Sequence, residues 1–424
     1  MPDPLNALKS RLKSCALFAL GPAVLLFALV IIFLVNNRPP SIHVPTPRMP
    51  KDNGYDYFVR AGKMLGVQGP SSCATRQPNS WTVPELKRYV LSNAPALAMV
   101  REGLKRECVL PPARSAKGVF LPEFARTREL ARRVVDEGRY YRAIGNFRRA
   151  ADSHLDCIEM GAVFPRGGSL IAGLVGEAIE AIGEHDFGQL IPNLDSGGLA
   201  HVAARLERIE TRQVPYAEVI EEEGRVSAAI LVEECGRPGY LWSFANPASW
   251  FSSGPFGFSG RPSAGEVYLR ARYAFCNKTA ACRSFMDYAK ATAAEARKPY
   301  TGKFKVSVPA NPVLQMLSPV FDRVRQCWEL EAAKRALIQA DVALRRYRFD
   351  HGRYPDALSA LVPAYLKKQP IDPFGIGKPL RYKSLNGGKD FLLYSLGPNL
   401  KDDGGTPGSQ QNSYSTGDVV AGKW

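Results

Sequence analysis

Beyond residue 50, apolar residues recur at three- and four-residue steps, the spacing of amphipathic helices. The first apolar stripe follows Asn53, a favoured helix N-cap. The second stripe begins at Thr82, with Pro84 in its first turn, where helices tolerate proline. Asn93-Ala94-Pro95 predicts a break in this second helix, because an interior proline removes a backbone hydrogen bond.

Four further helices are predicted between residues 121 and 231. The periodicity places them at 121–138, 140–161, 169–191 and 196–210, with Ser169 and Ser196 as N-caps and Gly138 and Gly161 as two of the ends. Short turns between helices favour antiparallel hairpins. The segment 140–161 resembles one tetratricopeptide-like element, but no second copy follows at repeat spacing. We therefore expect an irregular helical array.

The middle of the chain changes character. Residues 236–265 are rich in Gly, Pro, Ser and aromatic side chains, which predicts a long loop. Helical periodicity returns over 264–297. The segment TGKFKVSVPA at 301–310 alternates as a short strand does.

The last hundred residues predict one long helix followed by a hairpin. A narrow apolar stripe begins at Leu330 and ends near Tyr347, and the pair His351-Gly352 followed by Pro355 predicts the helix end. A second short helix is predicted from Pro355. PLRYKSL and DFLLYSL read as two strands joined at residues 386–388, Asn-Gly-Gly, a hairpin turn sequence. The predicted fold class is mainly α, with a small α+β domain at the C-terminal end.

An uncharged apolar run at 15–35 is long enough for a transmembrane helix. Lys9, Arg11 and Lys13 precede it, whereas Arg38 alone lies close behind, so the positive-inside bias predicts a cytoplasmic N-terminus and a periplasmic remainder. A cleaved signal peptide is the alternative. The run exceeds a typical signal-peptide core and lacks an A-x-A-like site, which favours an uncleaved anchor.

These patterns divide the chain into seven segments. They are a cytoplasmic N-terminus (1–14), an anchor (15–35), a Pro-rich linker (36–50), a helical domain (51–235), a loop (236–265), a helical continuation (266–320) and a C-terminal domain (321–424).

The net charge of +16 limits the possible partners. Outside the cytoplasm, such charge attracts anionic envelope surfaces, acidic polymers or extracellular nucleic acid. The basic residues are not interleaved with regularly spaced aromatic residues, so we do not expect a dedicated nucleic-acid surface.

Seven cysteines follow the apolar run without any C-x-x-C pair, and their spacing predicts no zinc site. Cys276 and Cys282 are close enough in sequence for a disulfide in an oxidising compartment. Cys157 and Cys327 lie in apolar helical patterns typical of buried thiols. The pairing stays open among Cys73, Cys108, Cys157, Cys235, Cys276, Cys282 and Cys327.

The candidate catalytic residues favour structural roles. Ser169 opens a helix and lacks the G-x-S-x-G context of a nucleophile. The acidic residues of the run 218–234 have basic neighbours, so we expect a solvated face and not an acid–base pair. The scattered histidines lack metal-ligand spacing and are expected at the surface or at helix ends. The carboxylates are Glu218, Glu221, Glu222, Glu223, Glu233 and Glu234, and the histidines are His154, His185 and His201.

Residues 321–424 carry an ordered set of motifs: Y-R-x-D-x-G-x-Y-P, L-x-x-L-x-x-x-Y-L, D-P-F-G and L-Y-S-L-G-P, then a Gly- and Asp-rich tail. In order and spacing they resemble the periplasmic domain of the type II secretion system major pseudopilin. The matching positions are Tyr347, Arg348, Asp350, Gly352, Tyr354, Pro355, Leu358, Leu361, Tyr365, Leu366, Asp372, Pro373, Gly375, Tyr382, Ser395, Leu396, Gly397 and Asp418.

The resemblance implies a helix packed on a small antiparallel sheet and a C-terminal loop that holds calcium. Calcium takes six to eight oxygen ligands in flexible loops, which this tail offers. The ligands expected here are the Leu396 carbonyl, Asn399, Asp402, Asp403 and Asp418. Asn399 stands where the family has an acidic residue, and the insertion TPGSQQNSYST lengthens the loop, so an Asx- and Gly-rich turn without metal is the alternative.

Two departures argue against polymerisation into a pseudopilus. No G-F-T-L-I-E-like processing site precedes the apolar run, and almost 300 residues separate that run from the resembling domain. We therefore expect a non-enzymatic, membrane-anchored envelope protein that binds protein partners, with a link to type II secretion or pilus-like machinery. The alternatives are an envelope hydrolase that uses carboxylates of the helical region, and a protein that handles extracellular DNA.

Overall fold

The computed structural model describes residues 22, 24–65, 81–114, 122–238, 240–241, 264–408 and 417–423. Helices account for 62% of the described residues and strands for 5%, with one small antiparallel sheet near the C-terminal end, which confirms a mainly α fold. The chain divides into two compact units. One contains residues 1–44, 227–287 and 308–317, and the other contains 45–226, 288–307 and 318–424.

Between residues 54 and 236, the described part of the chain contains eight α-helices. They are α1 (Gly54–Lys63), α2 (Val83–Leu104), α3 (Pro122–Ala143), α4 (Phe147–Val163), α5 (Leu170–Glu184), α6 (Phe187–Leu190), α7 (Ser196–Arg212) and α8 (Tyr216–Gly236). A 3-10 turn, Ile191–Asn193, follows α6 directly.

Beyond residue 263, the described residues form three helices, a 3-10 turn and three strands. They are α9 (Ala264–Phe275), α10 (Lys278–Ala296), α11 (Pro312–His351), the 3-10 turn Leu358–Leu361, β1 (Arg381–Leu385), β2 (Asp390–Ser395) and β3 (Val419–Val420).

Helix α4 lies at the centre of the larger unit, and most of its residues are buried. Its apolar residues join two cores. Cys157 and Met160 pack with side chains of α1, α2, α3 and α5. Leu155 and Ile158 pack with side chains of α6, α7 and α11. A helix that is apolar on several faces is surrounded by other elements, and this position accounts for its composition.

The predicted N-caps are correct for α1 and α2. The Asn53 side chain accepts a hydrogen bond from the Tyr55 amide at 3.2 Å. Thr82 and Glu85 form a reciprocal capping box, in which the Glu85 carboxylate accepts from the Thr82 amide at 2.8 Å. Both caps satisfy amide groups that a helix start leaves without an intrahelical partner.

The predicted break at Asn93-Ala94-Pro95 is wrong, because α2 runs through it. Buried packing holds the helix, since Asn93, Ala96 and Leu97 are all within the core. The Asn93 side-chain amide also donates to the Tyr89 carbonyl at 3.0 Å. Tertiary contacts therefore offset the one hydrogen bond that Pro95 removes.

Gly138 does not end α3, which continues to Ala143. A Cβ at Gly138 would meet the His154 ring at 2.8 Å, so this glycine allows α3 and α4 to approach closely. Gly161 has the same role between α4 and α5, because a Cβ there would meet the Glu180 Cγ at 2.5 Å. Helix α4 ends two residues later, at Val163. Both glycines serve packing and are not C-caps.

Two predicted serine caps also need correction. The N-cap of α7 is Asp195, whose carboxylate accepts from the Gly198 amide at 2.6 Å, and Ser196 is the first helical residue. Ser169 is the N-cap residue of α5 but makes no side-chain capping bond. Glu223 from α8 accepts from the Leu170 amide at 2.9 Å instead.

Helix α11 packs against the predicted hairpin, as expected. Strands β1 and β2 pair antiparallel, with Tyr382 opposite Leu393, and β3 adds to β2 to give the order β1-β2-β3. Asn386 adopts a left-handed conformation with φ of 52°, which suits the predicted turn. Leu337 and Leu344 of α11 share a core with Leu393.

Two local predictions between residues 301 and 366 are wrong. The short helix from Pro355 is reduced to the 3-10 turn, and Val362 is extended because Pro363 disfavours helical geometry in the residue before it. Residues 301–310 form no strand. The Phe304 amide donates to the Asp322 side chain at 2.9 Å instead of to a neighbouring strand.

In the smaller unit, the predicted helical continuation splits into α9 and α10. Asn277 caps α10 by accepting from the Ala280 amide at 2.8 Å. The buried Lys278 ammonium donates to the carbonyls of Tyr273 and Cys276 at the end of α9, at 2.5 and 3.0 Å. Cys276 and Cys282 are free thiols, so the disulfide that their spacing permits is not formed.

Residues 24–36 are helical, and within the described part of the chain no helix is long and apolar enough to cross a membrane. Residues 15–21 and 23 of the predicted anchor lie outside that part. Cys73 and most of the loop 236–265 also lie outside it.

Candidate binding cleft

An open cleft of about 1040 Å³ lies among the C-terminal end of α2, helix α4 and helix α7. Charged side chains dominate its lining. Seven of them are arginine or lysine and four are acidic. The cations lie at the end of α2, just after α4 and on α7. They are Arg101, Lys105, Arg106, Arg166, Arg205, Arg208 and Arg212.

Helical spacing explains how two charged rows face each other. Asp152, Asp156 and Glu159 follow one another at four- and three-residue steps, and therefore share one face of α4. The arginines of α7 at 205, 208 and 212 have three- and four-residue steps and share one face of that helix. The acidic row of α4 meets the basic row of α7.

Glu159 is the centre of this network. Its carboxylate accepts from Arg205 and Arg208, each at 3.1 Å, and from Arg212. The Glu159 side chain is only 1% exposed. Three guanidinium groups around one buried carboxylate more than compensate its charge, which is the condition for burying a charged group without a large penalty.

Asp156 forms a second link across the cleft. It accepts from Arg101 of α2 and from Arg205 of α7, each at 2.8 Å. Arg101 also contacts Glu137 of α3, whose carboxylate accepts from Ser153 at 2.8 Å. Four helices are therefore tied together by charge-assisted hydrogen bonds, which are stronger than neutral ones.

Arg212 has a structural task. One of its amino groups donates to the Leu104 carbonyl at 2.6 Å, and the other donates to the Arg106 carbonyl at 2.8 Å. These carbonyls stand at the C-terminal end of α2, where helices lack intrahelical donors. Arg212 therefore closes that helix end as well as pairing with Glu159.

The cleft presents cations more than carboxylates. Arg208 and Lys105 have side-chain exposures of 55% and 66%, whereas the Asp156 side chain is 9% exposed. Glu107 and Asp152 are the more accessible acidic residues of the lining. Asp152 is held by His201 at 2.6 Å and by Arg205 at 3.6 Å.

The lining contains one thiol, Cys108, which is buried. Burial raises the pKa of Cys108 to about 12, so the group is a protonated thiol at neutral pH. Since the thiolate is the reactive form, Cys108 is not an activated nucleophile.

The predicted acidic run 218–234 pairs with arginines. Glu222 is buried, against the expectation of a solvated face, because it accepts from Arg114 at 2.7 Å and from Arg225 at 3.0 Å. Glu221 lies 2.8 Å from Arg297. Glu218 is 3.9 Å from Arg166, and Glu233 and Glu234 lie 3.2 and 2.7 Å from Arg237. These five carboxylates are not part of the cleft lining.

His154 is buried, which corrects the expectation of a surface position. Its Nδ1 lies 2.7 Å from the Gly183 carbonyl oxygen. Burial lowers the pKa of His154 to about 4, so its ring is neutral at pH 7. His185 lies 3.6 Å from Asp186, and His201 pairs with Asp152 as described.

The C-terminal loop brings three of the five predicted calcium ligands together. The Asn399 side-chain amide donates to Asp403 at 2.8 Å, and Asp418 accepts from the amides of Asp403 and Gly405 at 3.3 and 2.7 Å. Burial raises the pKa of Asp418, although these two amides oppose the shift.

The other two predicted ligands have separate partners. Asp402 accepts from the Tyr394 hydroxyl at 2.9 Å and from Arg381 at 3.2 Å, and the Tyr394 bond contributes most to lowering its pKa. The Leu396 amide donates to Asp372 at 3.0 Å. Among the residues with a described structure, no three His, Cys, Asp or Glu side chains are grouped so that they could hold a metal ion.

No protein-family model, curated protein or solved structure matches this chain.

The charged cleft was not predicted, although its signal is present in the sequence. Acidic residues at 152, 156 and 159 and arginines at 205, 208 and 212 have complementary helical spacing on two helices. What the sequence does not show is that α4 and α7 are neighbours, because that depends on the packing of the whole array.

Proposed function

We propose that this chain is a non-enzymatic, single-span protein of the bacterial inner membrane whose periplasmic helical domain binds a protein partner. The cleft between α2, α4 and α7 supports this proposal. It is open, about 1040 Å³ in volume, and lined with charged side chains that are held in place by buried ion pairs. Such pre-organised polar groups reduce the entropy that binding costs.

Two sequence features support the location and the pathway. The apolar run 15–35 with its preceding basic residues favours an anchor with a cytoplasmic N-terminus. The C-terminal motifs resemble a pseudopilin domain, and a helix packed on a small antiparallel sheet is the arrangement that this resemblance implies. We therefore place the partner among envelope proteins, in type II secretion or pilus-like machinery.

The test is capture from chemically cross-linked membranes with the tagged full-length chain. We compare the wild type with Arg208→Glu in the cleft and with Arg148→Glu, an exposed arginine outside the cleft lining. The proposal expects one envelope or secretion protein to be enriched by the wild type and by Arg148→Glu but lost with Arg208→Glu. Equal capture by all three, or no specific protein, contradicts it.

We also propose that the C-terminal loop binds calcium, because Asn399, Asp403 and Asp418 lie together and offer oxygen atoms. A bound ion would stabilise the folded state by mass action. We expect the melting temperature of the full-length chain to rise in calcium relative to a chelator, and Asp403→Asn to abolish the rise. An unchanged melting temperature in the wild type would count against the site.

A further inference from the structure

The exposed cations of the cleft are arranged on two opposing walls. Arg101 and Lys105 are four residues apart at the end of α2, where such side chains are neighbours, about 6 Å apart. Arg208 projects from α7 and has a 55% exposed side chain. A ligand in the cleft therefore meets positive charge from both sides.

Each of these cations is already anchored by a carboxylate, and this anchoring leaves donors for a ligand. Arg208 donates one amino group to Glu159, whereas a guanidinium carries five N–H bonds. Arg101 is held by Asp156 and Glu137 and is still 39% exposed. Lys105 lies 2.6 Å from Glu102 and is 66% exposed. The anchoring fixes the geometry of these cations and leaves part of each side chain exposed.

We propose that the cleft binds an extended, acidic peptide segment of the protein partner, with carboxylates on alternate residues; this inference rests on the proposed function. In an extended chain, residues two apart project on the same side about 6.6 Å from each other. That distance matches the spacing of Arg101 and Lys105. A third carboxylate reaches Arg208 on the opposite wall.

The distribution of the cations favours a chain of carboxylates over a single phosphate. A phosphate site concentrates its donors on one group, often at a helix N-terminus. Here the donors belong to separate elements, and the α2 end that lines the cleft is a C-terminus. Several separated carboxylates use such donors better than one compact anion does.

The test is fluorescence anisotropy with the purified full-length chain and a labelled ten-residue peptide of alternating Glu and Gly. We expect saturable binding that weakens from 50 to 300 mM salt, because screening reduces exposed charge interactions. Arg208→Glu and Lys105→Glu should each weaken binding about tenfold or more. The control Arg148→Glu should bind as the wild type does, and a Gln-Gly peptide should not bind.

Circular dichroism melting of each variant shows that it is folded, so a loss of binding reports the cleft. The inference is overturned if the acidic peptide does not bind, if the Gln-Gly peptide binds equally, or if the cleft variants bind like Arg148→Glu. It is also overturned if inorganic phosphate displaces the peptide at concentrations where sulfate of equal ionic strength does not. Capture of a partner that depends on Arg208 would leave the proposed function standing in each of these cases.

Discussion

Replacing Glu177 with glutamine is expected to stabilise the protein at neutral pH, and the gain is expected to shrink as the pH falls. Glu177 belongs to a buried charged cluster between α5 and α11. In that cluster Arg335 pairs with Glu180, and Lys334 pairs with Glu331 at 2.8 Å. The two cations are therefore engaged, and the oxygens of Glu177 have no hydrogen-bond partner within the described residues.

Burial, followed by the negative charge of Glu180, raises the pKa of Glu177 well above its ordinary value of 4.5. The same causes, with Glu331 as the neighbour, raise the pKa of Glu184. A carboxyl that stays protonated in the folded protein takes up a proton on folding. The stability that this proton uptake contributes is fully present below pH 4.5, the ordinary pKa of the group. It is lost as the pH rises through the pKa that the group has in the folded protein.

The size of the effect follows from the pKa that the carboxyl has in the unfolded chain. Keeping a carboxyl of ordinary pKa 4.5 protonated costs free energy that grows by about 1.4 kcal/mol for each pH unit above that value, up to the pKa of the group in the folded protein. A glutamine side chain does not ionise, so no free energy is spent on keeping it neutral at any pH. Its gain over the wild type should therefore be larger at pH 7 than at pH 5, by at most about 3 kcal/mol for these two pH units.

Urea unfolding followed by far-UV circular dichroism at pH 5, 6 and 7 measures this difference. Any pH-independent change in hydrogen bonding or packing cancels when the two pH values are compared. Asp356→Asn is a matched control, because Asp356 is 78% exposed and pairs only with Arg353 in the described structure. If the Glu177→Gln gain is the same at pH 5 and pH 7, or no larger than that of the control, the assignment of a buried protonated carboxyl is refuted.

Three further substitutions test the packing. Arg335→Met leaves the Glu180 carboxylate buried without its ion-pair partner, and urea unfolding at pH 7 should show a loss of about 3–5 kcal/mol. Gly161→Ala places a methyl group 2.5 Å from the Glu180 side chain and should cost about 2–3 kcal/mol, whereas Gly236→Ala, with open space around it, should be nearly neutral. Asp372→Ala removes the acceptor of one hydroxyl and two backbone amides, so it should lower the melting temperature and increase amide exchange in β2.

The features that were predicted correctly depend on neighbouring residues. The Asn53 cap, the Thr82–Glu85 capping box and the turn at Asn386 each need only a few adjacent positions. Their chemistry acts within one turn of chain. A single sequence contains all the information that such features require.

The features that were missed depend on what packs against them. Gly138 looks like a helix end until His154 is known to lie against it. Pro95 looks like a break until the core around Asn93 and Leu97 is known. The same holds for Glu222, whose partner Arg114 is 108 residues away. Tertiary contacts decided each of these outcomes, and one sequence without its fold does not show them.

Helix α11 contributes to three cores in the larger unit, and two of them show what this position requires. Ile338 and Val342 pack with side chains of α4, α6 and α7, while Leu337 and Leu344 pack with the hairpin. A segment cut at residue 321 would carry this helix away from the first core and expose its apolar and charged faces to water. The C-terminal segment therefore cannot be exchanged as an independent part of the protein. A substitution on α11 must be compatible with packing against the helical array and against the hairpin at the same time.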